Sequence, residues 1–192
     1  MSLASVDRIL VVAATEQELA TAAGWRRLCC GVGPVDAAAA TASAIAVHRP
    51  AVILHVGIAG ARRACGLKPP CLVIGAGSIY CDLDVPARFA PHRLVPDAAL
   101  LDAARRALPD AAVMEIGTSG RVGHSSGCDV EAMEGFAVLR AATLAGVRAV
   151  EVRAVSNTIE DTDRALWRFD EAFAAIVSAT PALVREIASC VN

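Results

Sequence analysis

Apolar residues along the chain form short β-branched runs that alternate with longer, alanine-rich or amphipathic stretches. The short runs predict buried strands at residues 8–14, 51–56, 71–80, 111–117 and 149–155. The longer stretches predict helices at residues 34–47, 97–108, 136–146 and 164–191, the last broken or bent near Pro181. Strands that alternate with helices in this way indicate an α/β architecture.

Polar residues stand at two junctions of this pattern. Glu131 and Glu134 precede the third predicted helix, and Ser156 and Asn157 follow the last predicted strand. α/β proteins build pockets where the ends of strands meet the starts of helices. We therefore predict a binding pocket here, with Glu131 interpreted as a solvated charge at the helix start.

Length and composition restrict the possible classes of protein. A chain of 192 residues suits one domain, 1–192, with one sizeable core. Hydrophobic residues make up 55%, but no run is long enough to span a bilayer. The formal net charge of −2 does not indicate the basic surface that binds nucleic acid. The first residues lack the features of a secretory signal, so we expect a cytoplasmic protein.

Cysteine usage indicates neither a disulfide scaffold nor a zinc site. The seven cysteines are odd in number and contain no C-x-x-C pair. We predict that most are buried, reduced thiols that pack as small apolar residues.

Three segments resemble the nucleoside phosphorylase and nucleosidase superfamily. Residues 133–135 (Met-Glu-Gly) and 156–157 (Ser-Asn) look like its ribose- and base-holding segments, and residues 57–60 look like its Gly-x-Ala-Gly loop. The resemblance covers nearly the whole chain and is closest to the futalosine hydrolase family. It implies a three-layer αβα fold with a mixed, partly barrelled central sheet and helices on both sides.

The resemblance implies three catalytic residues. Glu134 accepts hydrogen bonds from the ribose hydroxyls and stabilises an oxocarbenium-like sugar, and Glu18 activates the attacking water. Asn157 bonds the base at N7 and at an exocyclic oxygen, which favours a 6-oxopurine. Glu18 also fits a capping box with Thr15, and the sequence leaves both roles open. The phosphate turn of phosphorylases, Gly-Asp-Pro-x-Arg, is absent after the first strand, which favours hydrolysis.

The same resemblance implies a set of substrate-binding residues, namely Ile58, Ala59, Gly60, Gly123, His124, Met133 and Ser156. Gly123 or His124 stands near the position of the family's aromatic wall, and a helical turn before Glu131 is missing. His124 either contacts the base or lies exposed in a loop. Trp167 and Phe169 are assigned to core packing, with a contact on the base side as the alternative.

The implied function is hydrolysis of futalosine to hypoxanthine and dehypoxanthine futalosine, in the futalosine route to menaquinone. Three alternatives stay open: a methylthioadenosine or adenosylhomocysteine nucleosidase, a purine nucleoside phosphorylase, and a non-catalytic nucleoside-binding paralogue. The expected partner is a small purine nucleoside, with no nucleic acid and no membrane, and no metal or organic cofactor is required. A homodimer is expected, with residues 82–96 as a lid or a subunit contact.

Overall fold

The strands of the computed structural model form one mixed sheet, and the structure describes residues 6–21, 24–122 and 127–191. The strands are β1 (Ile9–Ala13), β2 (Arg26–Cys29), β3 (Val52–Ala61), β4 (Leu72–Tyr80), β5 (Arg93–Leu94), β6 (Ala112–Thr118), β7 (Val130–Ala132) and β8 (Arg148–Thr158). The α-helices are α1 (Pro34–His48), α2 (Ala98–Ala107), α3 (Gly135–Leu144) and α4 (Phe169–Ala188).

Five of these strands close into a barrel-like ring in the order β3-β7-β6-β4-β8, with β8 returning to β3. β8 pairs parallel with β3 and antiparallel with β4, while β7 pairs antiparallel with β3 and parallel with β6. Outside this ring, β1 pairs parallel with β3 and β2 pairs parallel with β1, which extends the sheet by two strands. The predicted mixed and partly barrelled sheet is confirmed.

Helices cover both faces of the sheet. Alternate residues of β1 enter two different cores: Ile9 and Val11 pack with α2 and α4, whereas Leu10 and Val12 pack with α1 and α3. A strand that is apolar on both faces is what a sheet sandwiched between helices requires. The predicted αβα layering is confirmed.

Two strand ends differ from the prediction. β3 continues through the glycine-containing segment to Ala61, and β8 continues to Thr158, so Ser156 and Asn157 lie inside a strand. Glycine disfavours strands, but the ladder between β3 and β8 extends beyond the glycines and holds this segment extended. That ladder shifts register between Ala59 and Gly60, which marks a β-bulge.

The helices match the prediction with small changes at their ends, except that the last helix is not broken at Pro181. α4 begins at Phe169 after a short 3₁₀ turn (Arg164–Leu166) and continues through Pro181 to Ala188. Within the described ranges, no helix is long and apolar enough to cross a membrane.

The prediction that most cysteines are buried is wrong. Only Cys30 is buried, whereas Cys29 is exposed and the other five thiols are partly exposed. They stand at strand ends, in turns or after the last helix, where the backbone does not carry them into a core.

Candidate active site

The structure brings most of the predicted site residues to one pocket of about 320 Å³. The predicted residues that line it are Glu18, Ile58, Ala59, Gly60, Met133, Glu134, Ser156 and Asn157. Gly123 and His124 lie outside the described residues, so their predicted contacts with the base stay predictions.

Glu18 reaches the pocket from the 3₁₀ turn that follows β1 and is only 3% exposed. Its Oε2 accepts hydrogen bonds from the backbone N and the Oγ1 of Thr15, each at 2.8 Å, and its Oε1 accepts from Ile58 N at 3.0 Å. The capping box is therefore present, and its carboxylate also faces the pocket. The two roles left open by the sequence are compatible with each other.

Glu134 is the buried residue that immediately precedes α3. Its Oε1 accepts a hydrogen bond from Gly33 N, 3.1 Å away at the start of α1, and its Oε2 lies 3.3 Å from Nη1 of Arg153. These two contacts hold the Glu134 carboxylate in one place on the pocket wall.

Ser156 and Asn157 enter the pocket together because of the bulge in β8. Adjacent residues of a regular strand face opposite sides of the sheet, yet both of these side chains line the pocket. Gly60 makes room for the amide, since an ideal Cβ there would lie 3.1 Å from Asn157 Nδ2. The Asn157 amide accepts from Ser156 Oγ at 2.8 Å and donates to Thr158 O at 3.3 Å.

The interpretation of Glu131 as a solvated charge at a helix start is wrong. Glu131 is 7% exposed and lies in β7, where it pairs with Gly60 of the neighbouring strand β3. The helix begins only at Gly135, because the residues before Met133 complete the barrel instead of a helical turn. Glu131 is therefore a third carboxylate on the pocket wall.

Aromatic residues after β8 form one side of the pocket, contrary to the assignment of Trp167 and Phe169 to core packing. Both side chains are partly exposed and line the pocket, as does Phe173. The ring centroids of Trp167 and Phe169 are 5.4 Å apart, and those of Phe169 and Phe173 are 6.2 Å apart. Phe173 stands four residues after Phe169 on α4, a helical spacing that the sequence alone could have shown.

A buried arginine, Arg153, stands behind the pocket and was not singled out from the sequence. Its guanidinium contacts Glu134 through Nη1, Glu151 through Nε at 2.8 Å, and His55 Nε2 through Nη2 at 2.5 Å. Burial alone lowers the pKa of Arg153, but Glu151 and Glu134 raise it above its ordinary value. Arg153 is therefore a permanent positive charge among carboxylates.

His55 is neutral at this position. Burial, followed by the charge of Arg153, lowers the pKa of His55 well below its ordinary value. With Nε2 accepting from Arg153, the ring proton resides on Nδ1 and donates to Val12 O at 3.0 Å. His55 is thus a buried residue with a hydrogen-bond partner for each ring nitrogen.

Comparisons with known proteins identify the family of this chain and relatives with the same fold. The family model of the Phosphorylase superfamily matches residues 27–189. A futalosine hydrolase of Streptomyces coelicolor is 33% identical over 185 residues, covering 81% of this chain and 77% of the relative.

Two solved structures show the same fold. The methylthioadenosine/adenosylhomocysteine nucleosidase of Neisseria meningitidis, in complex with methylthio-immucillin-A, gives a TM-score of 0.79 at 25% identity, covering 93% of this chain and 98% of that one. Futalosine hydrolase of Helicobacter pylori gives a TM-score of 0.81 at 15% identity, covering 93% and 97% of the two chains.

Proposed function

The chain belongs to the phosphorylase superfamily, and we propose that it is a nucleosidase that hydrolyses futalosine, releasing hypoxanthine. The observation that carries this proposal is the convergence of Glu18, Glu134 and Asn157 on one pocket. A chain 33% identical to a futalosine hydrolase thus holds together the three groups that glycosidic hydrolysis needs. These are a base for water, an anchor for the ribose and a partner for the purine.

Glu18 is the proposed general base. An ionised carboxylate offers about four lone-pair sites, and three of them are occupied by the two donors of Thr15 and by Ile58 N. The remaining site lies on Oε1, the oxygen that also accepts from Ile58 in the pocket wall. A water bound there can give its proton to Glu18 as it attacks the anomeric carbon.

Glu134 is the proposed ribose anchor. Breaking the glycosidic bond develops positive charge on the sugar, and a buried carboxylate stabilises that charge more in the transition state than in the bound nucleoside. Hydrogen bonds from the 2′- and 3′-hydroxyls to Glu134 hold the sugar against Met133. Met133 lines the same pocket.

Hydrolysis, rather than phosphorolysis, is expected for this site. The turn after β1 holds Glu18 in a satisfied capping box, with its carboxylate facing the pocket. That carboxylate would repel a phosphate dianion that entered the pocket. The wild-type protein should turn over futalosine at the same rate with and without phosphate, and release a free sugar hydroxyl. The measurement is product analysis with futalosine, methylthioadenosine and inosine, each in phosphate-free buffer and in added phosphate.

The outcomes of that comparison separate the candidate functions. A strict phosphate requirement with a sugar 1-phosphate as product identifies a phosphorylase. Preference for methylthioadenosine identifies the activity named for the similar nucleosidase of Neisseria meningitidis. Binding of all three nucleosides without turnover identifies a non-catalytic paralogue and contradicts the proposal.

Asn157 supplies the preference for a 6-oxopurine. Once the departing base has taken a proton from solvent at N7, an amide can accept from N7–H with its oxygen and donate to O6 with its nitrogen, whereas an aspartate offers O6 only another acceptor. The Asn157→Asp variant should therefore lose selectivity for hypoxanthine over adenine nucleosides. One unpaired buried polar group costs about 1–3 kcal/mol, which corresponds to a change in selectivity of about tenfold to more than a hundredfold.

The measurement for Asn157→Asp is kcat/KM for the hypoxanthine and adenine forms of one nucleoside, in both proteins. The ratio of the two values within each protein is its own control, because partial misfolding lowers both values equally. An unchanged ratio would mean that the base is recognised elsewhere, and the assignment to a 6-oxopurine would lose its main residue.

Further properties accompany the proposed activity. We place the whole chain, 1–192, in one nucleosidase domain that needs no metal or organic cofactor, and its role is a step in menaquinone synthesis in the cytoplasm. Assembly as a homodimer stays a prediction. Within residues 82–96, the side chains of Phe89 and Val85 are 71% and 36% exposed, and a subunit contact at this segment would cover them.

A further inference from the structure

Glu151 has no part in the proposed contacts with water, ribose or base, although it is one of the most buried charges in the described part of the chain. It is 1% exposed and is the fourth residue of β8. Its side chain faces the same side of the strand as Arg153, two residues on, and Nε of Arg153 donates to its Oε1 at 2.8 Å. A buried charge of this kind is costly unless its partner is held close.

Gly135 is the residue that admits this carboxylate. Gly135 is the first residue of α3, directly after Glu134. An ideal Cβ on Gly135 would lie 2.2 Å from each of the two carboxylate oxygens of Glu151. Both atoms belong to a side chain enclosed by the core, so it has no free space to retreat into. Glycine at 135 and glutamate at 151 are therefore sterically matched.

The contacts of Arg153 show how the fit between Gly135 and Glu151 affects the site. A guanidinium is a planar fork whose donors have fixed relative directions. Glu151 holds the Nε edge and the neutral His55 holds Nη2, which leaves Nη1 directed at Glu134 Oε2 and at Ile58 O, 3.3 Å and 3.4 Å away. Two fixed edges of the fork determine where the third edge points.

We propose that Glu151 is a positioning residue that orients Arg153 toward the ribose anchor Glu134, and that Gly135 is required because it admits Glu151. The proposal rests on the nucleosidase function given above, since it concerns the geometry of the same site. Glu151 does not line the pocket, and it acts on the site through Arg153. Loss of Glu151 therefore affects the chemical step more than the binding of the nucleoside.

The charges around Arg153 make this role dependent on pH. Burial raises the pKa of Glu151 above its ordinary value, with Arg153 opposing the rise. The other titratable groups that face the cluster are Glu18, Glu134, His55 and Cys30. Burial keeps His55 neutral and raises the pKa of Cys30 to about 12, so neither changes charge across the acid range. Glutamine at 151 mimics the protonated carboxyl that the wild type acquires at low pH.

The first test is the Glu151→Gln variant, assayed on futalosine or inosine. At neutral pH, kcat should fall by about tenfold to a hundredfold, the size expected from a small misplacement of a catalytic group, with KM nearly unchanged. The deficit relative to the wild type should shrink as the pH falls below the raised pKa of Glu151, because both proteins are then uncharged at this position. A folded variant with wild-type kcat, or with a deficit that does not change with pH, would overturn the proposal.

The second test separates positioning from folding by a double-mutant cycle in melting temperature and kcat. Gly135→Ala alone should lower both, although alanine is ordinarily the better helix former, because its methyl group collides with Glu151. Adding Glu151→Ala should restore the melting temperature to that of Glu151→Ala alone, without restoring kcat. Effects that simply add in both measurements would mean that the two residues are not coupled, and the proposal would be wrong.

These results also distinguish failure of the proposed function from failure of this inference. A wild-type protein that cleaves none of the nucleosides contradicts the function, and the cycle in melting temperature then still tests the pairing of Gly135 with Glu151. A wild-type protein that cleaves futalosine supports the function, and the Glu151→Gln profile then decides the positioning role.

Discussion

Replacing Glu18 with glutamine is expected to lower kcat on futalosine by about 10²–10⁴-fold, the usual contribution of a general base. The amide has no basic site for the proton of the attacking water. It also presents an NH₂ group to one of the donors that now approach the carboxylate, namely the Thr15 backbone N, the Thr15 hydroxyl and Ile58 N. Substrate binding should change little, because ribose and base contact other residues.

Glu16→Gln is the matched control for this variant. Glu16 lies in the same 3₁₀ turn and loses the same charge, but its side chain is 67% exposed, pairs with Arg27 and does not line the pocket. Steady-state kinetics and melting temperatures of the two variants should differ sharply in kcat. Near-native turnover by a folded Glu18→Gln protein would assign the activation of water to another group.

Much of the fold follows from local patterns, but the three shortest strands, β2, β5 and β7, do not. The strands β1, β4 and β6 and all four helices have lengths and apolar periodicities that a single segment reveals. β7 has three residues and β5 has two, too few to show a period. They form because neighbouring strands, such as β3 beside β7 and β4 beside β5, offer open backbone groups. Their existence depends on contacts far apart in the chain, and the error at Glu131 followed from missing β7.

The site residues divide in the same way. Glu18, Glu134 and Asn157 stand in short motifs at the ends of predicted elements, so the sequence could identify them. Glu151 and Arg153 alternate with apolar residues in a strand, a pattern that ordinarily indicates a solvent-facing side. Both are 1% exposed. Their burial depends on Glu134, 19 residues from Arg153, and on His55, 98 residues from it, and no local pattern carries that information.

Replacing Glu134 with glutamine is expected to lower kcat/KM on futalosine by about 10²–10³-fold, the usual effect of removing one preorganised electrostatic contact from a transition state. The amide retains an oxygen for one ribose hydroxyl but carries no charge to oppose the positive sugar. In contrast to Glu18→Gln, this change should also raise KM, because the contact with the 2′- and 3′-hydroxyls weakens in the bound nucleoside as well.

The same variant tests whether the charge or the scaffold role of Glu134 matters. Its carboxylate also holds Gly33 N at the start of α1 and one edge of Arg153, so a lower melting temperature is expected beside the kinetic effect. Glu186→Gln is the control, because Glu186 forms a surface ion pair with Arg106 and lies away from the pocket.

A 2′-deoxy substrate separates the two roles of Glu134. The wild type should lose far more activity on it than Glu134→Gln does, since that variant has already lost much of the contact. Equal losses in both proteins would place the ribose anchor on a different residue, and Glu131, the other carboxylate on that wall, would be the next to replace.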